Sequence, residues 1–307
     1  MRIFNSGRCT NRFKLPLVWT TKMPDNHELW AISCVLLFSL HGATALTTTE
    51  INAFTVTGSY DATVSVDATT YASQNRIKIT ASGMPDHAWQ MVNPNTPTVQ
   101  NHEINVLNTP EDQSSYGCLP MGKIGLAKTG VALFNPLTAE SYNAVEGSNA
   151  ETFDSCDGHA TNRGEYHYHK IPHNCLYSKG VDEFLGVALD GYPIYGPLAS
   201  WHNGGASNLT TSDLDKCHGS NSSGSYRYYM TYDWPYILSC FKGKVIDRRS
   251  SSSVSYTCSS SSSSSFDSSW GFLCSCTNSN NGGADRRVKT EVVLLSVLVA
   301  MVYDNSK

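Results

Sequence analysis

Gly164-Glu165-Tyr166-His167-Tyr168-His169 is the stretch from which the rest of the chain is read. In an extended strand successive side chains point to opposite faces. His167 and His169 therefore share one face, and Tyr166 and Tyr168 the other. Residues two apart on a strand have Cα atoms about 6.8 Å apart, from a rise of about 3.4 Å each. Two imidazoles at that spacing can converge on one ion at about 2.0–2.1 Å each. The competing reading is a half-exposed strand whose tyrosines pack and whose histidines meet water. The hexamer alone leaves the two readings level.

At 307 residues the chain has room for one large domain or two ordinary ones. A net charge of −4 with sparse charged residues gives no basic footprint, which argues against a nucleic-acid partner. The ten cysteines say more. Cys9 and Cys34 lie in an N-terminal region that reads as removable, and the others form an even set. Little of their spacing is of the metal-type Cys-x-x-Cys kind, so disulfides and an oxidising compartment are expected. Leu29 to Leu40 is apolar apart from Ser33 and Ser39 and is followed by His41-Gly42-Ala43-Thr44-Ala45. That is an h-region with an Ala-x-Ala site, so residues 1–45 read as a targeting segment and the mature chain is expected to begin near Leu46. An uncleaved anchor would need roughly 20 apolar residues.

Residues 46–76 read as an N-terminal β segment packing on the core, with strands over Ala53 to Thr57, Ala62 to Val66 and, crossing its end, Arg76 to Thr80. Gly83-Met84-Pro85-Asp86-His87-Ala88-Trp89 is a turn ending in a His–Trp pair, and residues 90–115, rich in Asn, Pro, Thr and Gln, read as an extended loop. Gly130 to Asn135 predicts a buried strand ending at Pro136, while Leu137 to Ala150 fits either a short helix or irregular coil. Phe184 to Pro197 predicts a buried strand, a tight Asp190-Gly191 turn and a second short strand.

A theme recurs. Asp154-Ser-Cys156-Asp-Gly-His159, followed ten residues after Cys156 by Tyr166-His-Tyr-His169, is echoed by Asp215-Lys-Cys217-His-Gly-Ser220, followed nine residues after Cys217 by Tyr226-Arg-Tyr-Tyr229. This reads as a duplicated strand–loop unit in which His167 corresponds to Arg227 and His169 to Tyr229. Only the first copy keeps its histidines, which favours a task for them beyond sheet packing. Cys156 and Cys175 flank the Tyr-His strand and are expected to pair; Cys217 and Cys240 should pair by the same logic.

Beyond Lys244 the composition changes. Residues 247–270 read as a serine-rich linker, and residues 271–307 as a cysteine-containing segment with an apolar tail. Val292 to Tyr303 is apolar but for Ser296, too short to span a membrane comfortably. With Gly282-Gly283-Ala284 and a polar spacer before it, this tail resembles a lipid-anchor signal and offers a route to membrane attachment, though the polar end Asp304 to Lys307 departs from that pattern. A helix or strand docked on the body is the alternative. Asn208-Leu-Thr210 and Asn221-Ser-Ser223 are N-glycosylation sequons.

Taken together, several stretches resemble the YHYH domain family. They are Gly83 to His87, Pro120 to Gly125, Gly130 to Asn135, Cys156 to His159, Tyr166 to His169, Leu189 to Pro197, Tyr226 to Thr231 and Pro235 to Gly243. One departure is His218, where the pattern would have Asn. The resemblance implies a domain over 77–246 and a secreted or cell-surface protein, and it carries no reaction with it. It groups His159, His167, His169 and Asp190 into one unit.

The fold expected is mainly β, with short strands, long loops, minor helix and disulfides. The site expected is a metal centre in which His167 and His169 chelate and His159 supplies a third imidazole. Asp190 lies in contact with the ion or holds a histidine tautomer, and His173 and His87 stand in reserve. Neutral imidazoles with a carboxylate suit zinc or copper in an oxidising compartment. The alternative is a non-catalytic extracellular module that binds a small molecule, glycan or protein on Trp89, Trp201, Trp234 and the abundant tyrosines. Sequence leaves enzyme status open.

Overall fold

The computed structural model describes residues 46–55, 61, 63–173 and 175–246, and the backbone of 253–254. The expected targeting segment and C-terminal tail lie outside the described residues, and so does the expected serine-rich linker apart from Ser253–Val254, whose backbone forms a two-residue strand paired with Val245–Ile246.

Strands dominate, as the sequence implied. In chain order they are β1 (Val66–Tyr71), β2 (Arg76–Ala81), β3 (His102–Leu107), β4 (Asp112–Gly117), β5 (Lys123–Ala127), β6 (Ala132–Phe134), β7 (Gly158–Ala160), β8 (Tyr166–Tyr168), β9 (Phe184–Ala188), β10 (Pro193–Tyr195), β11 (Gly219–Ser220), β12 (Arg227–Tyr229) and β13 (Phe241–Gly243). β1, β2 and β3 form an antiparallel sheet. Alternation drives it: Ile77, Ile79 and Ala81 are buried while Arg76, Lys78 and Thr80 are half-exposed. Each fully buried isoleucine stabilises by about 1.5–3 kcal/mol.

Eight strands make the main sheet, in the order β11-β12-β10-β9-β5-β6-β8-β7. Its two halves are copies. In each, an antiparallel hairpin (β5–β6 or β9–β10) continues through a parallel neighbour (β8 or β12) to an antiparallel edge strand (β7 or β11). The copies meet at β5 and β9 in a self-complementary register, Gly125 opposite Ala188, Leu126 opposite Val187 and Ala127 opposite Gly186. Gly125 and Gly186 are equivalent in this arrangement, and a Cβ on either would collide with the other strand's backbone carbonyl. The duplication visible in sequence thus extends back to Lys123.

Local hydrogen bonds repeat as well. Asp154 Oδ1 accepts from the amides of Cys156 (2.9 Å) and Gly158 (3.2 Å), and its Oδ2 accepts from the Tyr166 hydroxyl (2.7 Å). Asp215 does the same for Cys217 (3.0 Å), Gly219 (3.0 Å) and Tyr226 (3.0 Å). Asp157 and His218 occupy the same left-handed position, at φ 62° and 77°. The Asn that the resemblance would place at 218 is a residue that tolerates this conformation. The disulfides Cys156–Cys175 and Cys217–Cys240 close the two units.

Leu126, Ala132 and Val187 turn one face of the main sheet toward Ile77, Ile79, Ile104 and Val106 of the small sheet. The other face buries Tyr166, Tyr168, Tyr226 and Tyr228 with Leu133, Leu185 and Ile194.

Some expectations fail locally. Residues 48–52 form a short helix where only strands were expected. Thr47-Thr-Thr-Glu50 is a capping box, with the Glu50 amide donating to Thr47 Oγ1 (3.2 Å) and the Thr47 amide to Glu50 Oε2 (2.5 Å). Residues 53–55 are not strand, and β1 begins at Val66, where the expected Ala62–Val66 strand would have ended. The loop expected over 90–115 contains β3 and most of β4, because Ile104 and Val106 pair with β2 despite polar flanks. Of the two readings open for Leu137 to Ala150, the irregular one holds.

Candidate metal centre

β7 and β8 pair so that His159 stands directly opposite His167. His169 follows two residues on and returns to the same face. Glu151 comes from the irregular segment before β7, fixed by its amide donating to the Ala144 carbonyl (2.8 Å). One ligand atom from each of these four residues lies within 4.8 Å of all the others.

The imidazoles face one another through Nε2. His167 Nε2 is 3.0 Å from His159 Nε2 and 3.0 Å from His169 Nε2. Glu151 Oε2 is 3.0 Å from His159 Nε2 and 3.1 Å from His169 Nε2. Each Nδ1 is committed elsewhere. His159 Nδ1 donates to the Thr152 carbonyl (2.7 Å), His167 Nδ1 to the Glu165 carbonyl (3.0 Å) and His169 Nδ1 to the Asn135 carbonyl (2.5 Å). A carbonyl only accepts, so the proton of each neutral ring sits on Nδ1 and the Nε2 lone pairs point inward. Three lone pairs and a carboxylate converging on one point repel unless a cation lies between them.

Electrostatics agrees. Burial, and then the neighbouring His169 and His159, push the His167 pKa well down, so its ring is neutral near pH 7. Burial alone would raise the Glu151 carboxyl, but hydrogen bonds and positive charge from His159 and His169 outweigh burial and hold it well below the usual carboxylate range, so in the metal-free site a proton on those imidazoles is the cation between the donors. Glu151 Oε2 is buried, and a neutral imidazole whose proton sits on Nδ1 has no hydrogen bond to offer it. Aromatic rings brace the cluster: Phe134 stacks on His167 at 3.9 Å and Phe153 on His159 at 5.0 Å.

His159, His167 and His169 are therefore brought together. Asp190 is not. Its carboxylate is fully buried and accepts from the Tyr228 hydroxyl (2.6 Å) and the Gly243 amide (2.9 Å), on the second copy's side of the sheet. The histidine tautomers are held by backbone carbonyls, not by Asp190. The carboxylate of the cluster is Glu151, which sequence reasoning missed. It stands in a segment without periodicity, and its one local signal is its place three residues before Asp154.

His87 meets Tyr168 from the opposite face, Nε2 to hydroxyl at 2.6 Å, and His173 pairs with Asp157 (3.0 Å). His87 also lies near Cys156 and Cys175, but their sulfurs are tied up in the disulfide and offer no thiolate. Trp89 and Trp234 are partly buried against the main core and Trp201 against Tyr195 and Tyr229. Asn208 and Asn221 are both exposed, as glycan acceptors must be.

The second copy has lost the cluster. Ser220, Arg227 and Tyr229 replace the histidines, and Ser212, three residues before Asp215, stands where Glu151 stands before Asp154. Arg227 lies over the Tyr195 ring (4.2 Å) in the place where His167 lies over Phe134.

A family model described as YHYH protein matches residues 103–211. The matched stretch holds all four donors and ends before β11 and β12. No curated protein and no solved structure matches the chain.

Proposed function

Starting from a chain that carries a YHYH domain, we propose that it binds one divalent transition-metal ion. The ligands are Nε2 of His159, His167 and His169 and the carboxylate of Glu151. The observation that carries this reading is the set of three Nδ1-to-carbonyl hydrogen bonds, which aim the Nε2 atoms of three imidazoles at one point beside the Glu151 carboxylate. Backbone acceptors behind ligating histidines fix ring orientation and raise ligand basicity. Neutral imidazoles with one carboxylate suit zinc or copper.

The reading includes an oxidising, extracellular setting. The disulfides Cys156–Cys175 and Cys217–Cys240 fit it, and no helix among the described residues is long and apolar enough to cross a membrane. The test is elemental analysis of protein purified, stripped with chelator and reloaded with zinc or copper. One equivalent per chain supports the reading, and none after either metal is offered rejects it.

A further inference from the structure

We infer that the four donors ring the ion in a near-square rather than a tetrahedron, leaving the positions above and below the ring for a small exogenous ligand. The inference rests on the metal reading above and adds a coordination geometry to it. Going round, the separations are 3.0 Å (His159 to His167), 3.0 Å (His167 to His169), 3.1 Å (His169 to Glu151) and 3.0 Å (Glu151 to His159). If the two remaining separations equalled these, the donors would form a tetrahedron whose centre lies only about 1.8 Å from each. That is shorter than the roughly 2.0–2.1 Å of a metal–imidazole bond.

Opened into a square with the same edges, the ring has its centre about 2.1 Å from each donor, an ordinary bond length. Its diagonals are then about 4.2 Å, inside the 4.8 Å that bounds every pair. Two further observations place His159 across from His169 and Glu151 across from His167. The His159 and His169 rings have centroids 5.8 Å apart, against 4.5 and 4.8 Å for the adjacent pairs. Glu151 ion-pairs with His159 and His169 but, among the described residues, not with His167.

A square of three nitrogens and one oxygen suits ions that prefer tetragonal or octahedral surroundings, such as Cu²⁺ or Mn²⁺, over a closed tetrahedral zinc. Affinity rank does not separate these cases, because Cu²⁺ outbinds Zn²⁺ at almost any such site; geometry does. Glu151 is the least covered member of the ring, its side chain 28 % exposed against 7 % and 3 % for His159 and His169. The ligand that fits is small: water, hydroxide or a one- to three-atom anion. An open position is what distinguishes a centre able to do chemistry from a purely structural one.

The experiment loads the stripped full chain separately with Cu²⁺ and Co²⁺, then adds azide. The copper protein should give an axial paramagnetic spectrum with coupling to three nitrogens, and azide should shift it. The cobalt protein should show the weak visible bands of five- or six-coordination. Intense tetrahedral cobalt bands, or a copper spectrum indifferent to azide, would overturn the square arrangement while leaving metal binding intact. Failure to take up either ion would remove the metal reading itself, and this inference with it.

Discussion

His159 and His167 are register partners across β7 and β8, and their Nε2 atoms lie 3.0 Å apart. The third imidazole is therefore delivered by strand pairing, not by the nearby disulfide. Cys156→Ser with Cys175→Ser should cost roughly 3 kcal/mol of stability, the chain-entropy value for a loop of this size. Metal affinity should change by less than about tenfold, because side-chain facing is fixed by register. Denaturant titration beside metal competition separates the two, and a collapse of affinity at unchanged stability would contradict the prediction.

Asp154 is the structural hub of the same unit. Its carboxylate accepts from three amides (Gln90, Cys156 and Gly158) and the Tyr166 hydroxyl in a buried setting. Asp154→Ala strands those donors, at about 1–3 kcal/mol for each left unsatisfied. Urea denaturation should show a loss of several kcal/mol, and a loss below about 1 kcal/mol would contradict this account.

Two buried groups in the second copy contribute to the pH dependence of the metal-free protein, beside His167 and Glu151 of the first. Burial pushes His218 down to about 4. Its Nδ1 donates to the Ile237 carbonyl (2.9 Å), while Nε2 faces the hydroxyls of Thr211 and Thr231 (3.1 Å each). Unfolded, this histidine takes a proton near pH 6.5, so the unfolded state binds more protons below that pH. Stability contributed by His218 should therefore fall as pH drops from about 6.5 toward 4.

Asp190 runs the other way. Burial, offset in part by Tyr228 and Gly243, raises it from 3.8 to about 6, so its contribution declines as pH rises through that window. Melting curves in chelator between pH 4 and 7 should show the His218→Asn variant losing less stability on acidification than wild type (the pH range being that of the about-6.5-to-4 titration). An unchanged profile would contradict it. Asn suits the left-handed φ of 77° at this position.

How much of this was legible in sequence can be told residue by residue. Ile77 and Ile79 announced β2 by alternation, Asp190-Gly191 announced the β9–β10 turn, and the spacing of the cysteines matched both disulfides. The alternation of His167 and His169 put both on one face, and the echo at Asp215 exposed the duplication. Glu151 was not legible, since a carboxylate on an irregular segment has no period to betray its direction. Asp190 misled because an aspartate ending an apolar run looks the same whether it serves a turn or a metal. β3 was masked by polar neighbours: its pairing with β2, not its own composition, makes it a strand. The helix at Thr48–Asn52 is legible in its capping box, Thr47 to Glu50. Glu50 ties it to the sheet by accepting from the Tyr195 hydroxyl.

Glu151 and the histidines should be separable by mutation. Glu151→Gln keeps size and removes charge, so affinity should fall by about 10–100-fold while the three nitrogens still bind. Competition against a chelator of known strength reads this directly. Loss of all binding would mean that the carboxylate, rather than the imidazoles, holds the ion.

The most direct test of the central claim is the metal content of the stripped and reloaded full chain, wild type beside His159→Ala, His167→Ala and Arg227→Ala, each checked for folding by circular dichroism. The account predicts one ion per chain in wild type and Arg227→Ala, and a loss of more than about 100-fold in affinity for either histidine variant, because each removes a direct ligand. Equal metal content in all four proteins, or none in any, would contradict it.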